Sequence, residues 1–157
     1  MYMKRKNGKN RGGSLIEIVL VVAALAFLVV VLTPQILEQV EQTKVSADTQ
    51  LADSVMKAVM LALADPAVVE ADEPGLPKPG AVLRLDNADD FSGAFGKAVT
   101  EQLGYDSTAL MVHAQNGIVS ELKSKGACGM TVTIDRFGDC VSAAVVDKDG
   151  SELIVIE

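Results

Sequence analysis

The run LIEIVLVVAALAFLVVVL, from Leu15 to Leu32, contains eighteen residues, of which only Glu17 is not apolar. A helix of that length is about 27 Å long, close to the roughly 30 Å hydrocarbon core of a bilayer. This segment is expected to span a membrane. Two other readings of the run fit less well. A buried core helix needs an interior able to surround it, which a chain of 157 residues does not provide. A cleaved secretory signal needs small residues of the A-x-A kind after the apolar stretch, and here TPQILEQVEQT follows instead.

Charge gives the segment a direction. Residues 1–11 hold Lys4, Arg5, Lys6, Lys9 and Arg11 and no acidic residue. The whole chain has 14 Lys and Arg against 21 Asp and Glu, a net −7, so everything after Arg11 carries 9 basic against 21 acidic residues, or −12. A basic flank before the span and an acidic remainder after it place the N-terminus in the cytoplasm and the C-terminal part outside. So acidic a surface argues against nucleic acid as a partner, because phosphate binding needs cations. The length allows one small domain beside the helix and excludes a large multidomain enzyme.

Beyond the span, Leu37, Val40, Ala47, Leu51, Val55, Ala58 and Ala62 recur at steps of three and four, broken where Lys44 takes the stripe. Gln39, Glu41, Gln42, Asp48, Gln50, Asp53 and Lys57 lie between them. One helix is therefore expected from about Leu15 to Ala64, roughly 75 Å long, with Met56 and Met60 on its packing face and a kink at Pro34. Asp65-Pro66 ends it. A connecting loop at 65–90 follows, rich in Pro and Gly (Pro74, Gly75, Pro77, Pro79, Gly80), with a short strand at 81–85. Phe91, Phe95, Ala98, Val99 and Leu103 have helical spacing and precede Gly104, so a helix is expected at 91–103. Ala109–Ala114 and Ile118–Lys123 flank Asn116-Gly117, a hairpin signal. Met130–Ile134, Cys140–Val146 and Ser151–Ile156 read as further strands. The class is α+β: a long N-terminal helix whose amphipathic half packs on a small C-terminal antiparallel sheet.

Glu17 is the residue that composition does not explain. A carboxylate within an apolar span costs about 2.5–3.5 kcal/mol at the bilayer centre on insertion scales, and such residues generally mark function. The stretch Gly12-Gly13-Ser14-Leu15-Ile16-Glu17, with a basic leader before it and the aliphatic run and Pro34 after it, resembles the class III signal of type IV prepilins and pseudopilins. The resemblance covers residues 1 to about 64 by motif and the remainder by architecture, the pilin fold. It implies a leader at 1–12, removed by a prepilin peptidase between Gly12 and Gly13, and N-methylation of Gly13, which stands where the family commonly has phenylalanine. It implies a membrane and filament-core helix at 13–34, an amphipathic half at 35–64, and a globular region at 91–157. Glu17 resembles the assembly glutamate, and Pro34 the position around which the family's helix loosens. The partners implied are identical or homologous pilin subunits, the peptidase and methyltransferase, an inner-membrane assembly platform, and membrane lipid before assembly. A pseudopilin of a secretion or DNA-uptake machine and a membrane-tethered binding domain are the alternative readings.

Other features weigh less. Cys128 and Cys140 would be exported to an oxidising place, where cysteines usually pair, and many pilins carry one C-terminal bridge. Register opposes it, since a turn at 135–139 sets Ile134 opposite Cys140 and leaves Cys128 several residues up the strand. Asp147, Asp149 and Glu152 are similar to the start of a calcium loop, and major pseudopilins bind calcium in this part, but the ligand ladder is incomplete and a solvated turn fits better. His113 stands alone as the chain's one histidine. No motif for nucleophilic catalysis, phosphate binding or a cofactor appears, so an enzyme is not expected.

Overall fold

The computed structural model describes residues 12–71, 76–113 and 115–157, with side chains from Leu15 onward other than that of Val141. The basic leader up to Arg11, and Pro74 and Gly75 of the loop, lie outside the described residues. The N-terminal helix α1 runs Gly12–Ala64 and includes Pro34. The chain forms two compact units, one up to Val40 and one from Glu41 to Glu157.

In the first unit every side chain from Leu15 to Val40 is exposed. The helix is long and apolar enough to cross a membrane, with none of its apolar window buried by protein. At Thr33 the hydroxyl donates to the Val29 carbonyl at 2.6 Å. A Ser or Thr that bonds its own helix in this way hides its polarity.

The second unit begins with the last turns of α1 and is built around their apolar face. Ala52, Val55, Met56, Ala58, Val59 and Ala62 are buried there. The expected stripe is displaced: Leu51 and Ala47 are half-buried, Leu37 and Val40 are exposed, and Met60 is turned outward. Of the two methionines only Met56 packs inward.

After α1, a one-turn helix α2, Pro66–Val69, occupies part of the segment read as loop. It forms because Asp65 caps it, accepting from Ala67 N at 2.9 Å, and because proline suits a first helical turn. Strand β1 is Val82–Arg84, and a 3-10 turn follows at Ala88–Phe91. Helix α3 is Gly93–Leu103, closed by Gly104 at φ 77°, a left-handed C-cap. Its Phe95 stacks on Phe91 with ring centroids 5.9 Å apart.

The hairpin expected across 109–123 is not formed. Helix α4, Thr108–Val112, and a 3-10 turn at Ile118–Glu121 stand there, and Ala114 lies outside the described residues. The Ser107 hydroxyl caps α4 by accepting from Leu110 N. Gly117 has φ −90°, whereas the two-residue hairpin turn needs φ above zero at both central residues. Gly117 serves close approach instead, since a Cβ there would meet the Met111 carbonyl oxygen at 2.3 Å. The fold gains by this: Met111 and Ile118 both reach the core.

Strands β2 (Gly129–Ile134), β3 (Cys140–Val146) and β4 (Glu152–Ile156) complete a sheet of order β1-β2-β3-β4, antiparallel throughout. Alternation decides its faces. Leu83, Met130, Val132, Ile134, Ala143 and Val145 join one core cluster with Val55 and Val59 of α1 and Val99 of α3. At the β2–β3 turn, Asp135 Oδ1 accepts from Phe137 N and Asp139 N and holds Phe137, 90% exposed, at the tip. On the outer edge, Arg84 N donates to Asp90 Oδ2 at 2.8 Å.

Among the described glycines compared for space at Cβ, Gly96 has the least. A Cβ there would lie 1.7 Å from the Phe91 carbonyl oxygen, so Gly96→Ala must push the Ala88–Phe91 turn away from α3. We expect it to cost about 3 kcal/mol or more. Urea unfolding of the full chain in detergent would show a lowered midpoint, and an unchanged midpoint would refute the reading.

Candidate functional site

The sequence motif falls on the first turns of α1. Gly12 and Gly13 open the helix, and five residues after Gly12 comes Glu17, its side chain exposed beside Ile18, Val21 and Val22. The first helical turn contains no acidic residue. Helix N-termini leave backbone N–H groups unpaired, so this end is electropositive. Glu17 lies one turn further on, an anion on an otherwise aliphatic surface. The arrangement offers one charged group able to accept from a cation in a low-dielectric setting, where attraction is little weakened by water. Pro34, seventeen residues further along α1, removes a helical donor and leaves the Val30 carbonyl without its usual acceptor role.

The two cysteines are not brought together. Both are free thiols, Cys128 exposed and Cys140 buried. Ile134 pairs with Cys140, while Cys128 N donates to the Val146 carbonyl at the far end of the same hairpin. Six residues of strand separate the two positions, about 20 Å. A disulfide spans Cα atoms no more than about 7 Å apart, so the family-style bridge is corrected to two separate thiols. Burial pushes the Cys140 thiol up to about 11. The thiolate is the reactive form, and Cys140 is therefore inert near neutral pH.

Asp147, Asp149 and Glu152 sit at the β3–β4 turn. Asp147 Oδ1 accepts from Asp149 N at 2.8 Å and Ser151 N at 2.9 Å, and Gly150 takes φ 81°. The carboxylate that would lead a calcium loop is committed to shaping the turn. Among the described residues no group of three or more His, Cys, Asp or Glu side chains could hold a metal ion. His113 Nδ1 accepts from Gln115 N at 3.3 Å, a local turn contact. The Tyr105 hydroxyl donates to Glu121 Oε1 at 3.0 Å, and burial, then Glu121, pushes it up to about 12.

One polar cluster was not foreseen. Asp48 of α1 is 1% exposed and accepts from Lys123 N, Ser124 N and the Ser124 hydroxyl. Glu41, two turns earlier, accepts from Lys125 N at 2.7 Å, and that bond holds its carboxyl below the usual range. A signal existed: Asp48 lies four residues before Ala52 and seven before Val55, on the buried stripe, where an acid must find partners.

In comparisons with known proteins, no family model, curated protein or solved structure matches the chain. Its reading rests on its own residues.

The thiols give a direct check. A thiol-reactive reagent should modify one equivalent per native chain, at Cys128, and two after denaturation. Immediate reaction of both, or of neither, would contradict the assigned burial.

Proposed function

We propose that this chain is the structural subunit of an extracellular type IV pilus, made as a membrane-anchored prepilin, cut after Gly12, N-methylated at Gly13 and polymerised through its N-terminal helix. The observation that carries the reading is Glu17, a single carboxylate exposed on a helix whose neighbouring side chains are aliphatic. In lipid such a group is costly until it meets a cation.

Cleavage after Gly12 creates that cation. The new amine at Gly13 emerges near the membrane boundary, and an unpaired ammonium there is as unfavourable as the unpaired Glu17. When the Gly13 amine of an incoming copy meets the Glu17 of its neighbour, both are satisfied, and truncating either leaves the other uncompensated. The ion pair sets register and the aliphatic surface from Leu15 to Leu32 supplies contact area. Repeating one heterologous contact without closing a ring yields an open helix of subunits. The unit from Glu41 onward brings its own core, and its acidic surface keeps it solvated.

Two measurements on one strain pair test this. The mass of the N-terminal peptide from cells should correspond to a chain starting at Gly13, carrying one methyl group. Glu17→Ala should leave that cut intact and abolish sheared filaments. Filaments that persist in Glu17→Ala, or a chain retaining its first dozen residues where the peptidase is active, would overturn the proposal. Mature chain that never leaves the membrane fraction would point instead to a pseudopilin or a tethered binding domain.

A further inference from the structure

Between the 3-10 turn at Ile118–Glu121 and strand β2, the chain crosses the flank of α1 as a short strap, residues 122–127. Its backbone donors have an unusual destination. The N–H groups of Lys123, Ser124 and Lys125 all point at carboxylates of α1. Asp48 Oδ1 accepts from Lys123 N at 2.8 Å, and Oδ2 accepts from Ser124 N at 2.7 Å and from the Ser124 hydroxyl. Glu41 Oε1 takes Lys125 N at 2.7 Å while Oε2 faces Lys44 Nζ at 3.4 Å. Three successive N–H groups directed at anions form a small anion-binding concavity, here filled by the protein itself.

Apolar packing here is partial, with Leu51, Leu122 and Ala127 half-buried against the core. Between Glu41 and Leu51 no apolar side chain is fully buried, and the apolar core starts at Ala52. Beside the strap an open groove of about 380 Å³ lies between Ala47, Leu51 and Ser54 of the helix and Ser120, Glu121 and Lys123. The ends of the strap, in contrast, are fixed. Leu122 packs on the core, its N–H donating to the Val119 carbonyl, and Cys128 N is bonded to the Val146 carbonyl. Between these points Gly126 takes φ 87°, a left-handed bend that a side chain would resist.

We infer that Asp48 and Glu41 form a carboxylate latch, which holds strap 122–127 against α1 and can let it swing away, widening the groove along Ala47 and Leu51 while the apolar core stays closed. The device is local because its bonds are hydrogen bonds from backbone N–H groups and the Ser124 hydroxyl to carboxylates beside the apolar cluster, whereas the strap's two anchors belong to that cluster or to the sheet. Asp48 is a positioning residue: it acts through the strap. This inference concerns the unit from Glu41 onward and does not depend on how the chain assembles.

Amide hydrogen exchange of the full chain in detergent micelles, read by mass spectrometry, tests it. Asp48→Asn replaces an acceptor oxygen by a donor facing donors. Exchange at Lys123, Ser124 and Lys125 should accelerate at least about tenfold, the scale of losing a bond to a charged group. The amides of β2 and β3 should keep their protection. The milder Ser124→Ala removes one bond and should accelerate the same three amides by less, with the sheet again unaffected. Unchanged exchange at 123–125 in both variants would overturn the latch. Equal acceleration across the sheet, or failure of Asp48→Asn to fold, would also overturn it, by showing that the carboxylate belongs to the global core.

Discussion

An eighteen-residue aliphatic surface has to be taken out of water, and the protein offers it no cover. From Leu15 to Val40 no side chain is buried, and the apolar core assembles only from Ala52 onward. At roughly 25 cal/mol per Å² of apolar area, a surface of this kind left in water would outweigh the marginal stability of a small domain. Cover has to come from outside the described residues, and the helix is long and apolar enough to cross a membrane. That requirement divides the chain into a part that seeks an apolar environment and a part that brings its own core. It also makes Glu17 significant, because any environment that suits its neighbours is hostile to an unpaired carboxylate.

The second unit is an ordinary solution to a helix and a sheet each with one apolar face. Val55 and Val59 of the helix and Val132, Ala143 and Val145 of the sheet share one buried cluster with Phe91 and Phe95. These elements were legible because their patterns are set by burial: near-alternation in β2, a continuous apolar run in β3 where Ala143 to Val146 are all buried, and steps of three and four in α1 and α3. The two-faced nature of each element leaves a pattern that local chemistry does not disguise.

Where tertiary contacts outvoted local signals, the sequence misled. Asn116-Gly117 has the composition of a hairpin turn, yet Gly117 is there because backbone from Met111 and His113 comes too near for a Cβ. Ser107 capping α4 was a competing signal of the opposite sense. Asp48 was placed among the polar residues of the helix by type, although its position lies on the buried stripe; its partners are backbone N–H groups about 75 residues away, which no local pattern announces. The cysteines show the reverse. Pairing by analogy failed, and strand register, which could be counted from the turn at 135–139, already kept them apart. Glu17 was conspicuous from the first because an acid in an aliphatic run contrasts with everything around it.

The bond from Arg84 N to Asp90 Oδ2 has a consequence beyond local order. Residues 81, 83 and 85 of the β1 region face β2, so Arg84 carries a donor on the side away from the sheet. An edge of this sort invites strand addition by a foreign chain. With Asp90 already seated on it, and with β1 only three residues long, that side of the sheet offers a foreign strand little to pair with.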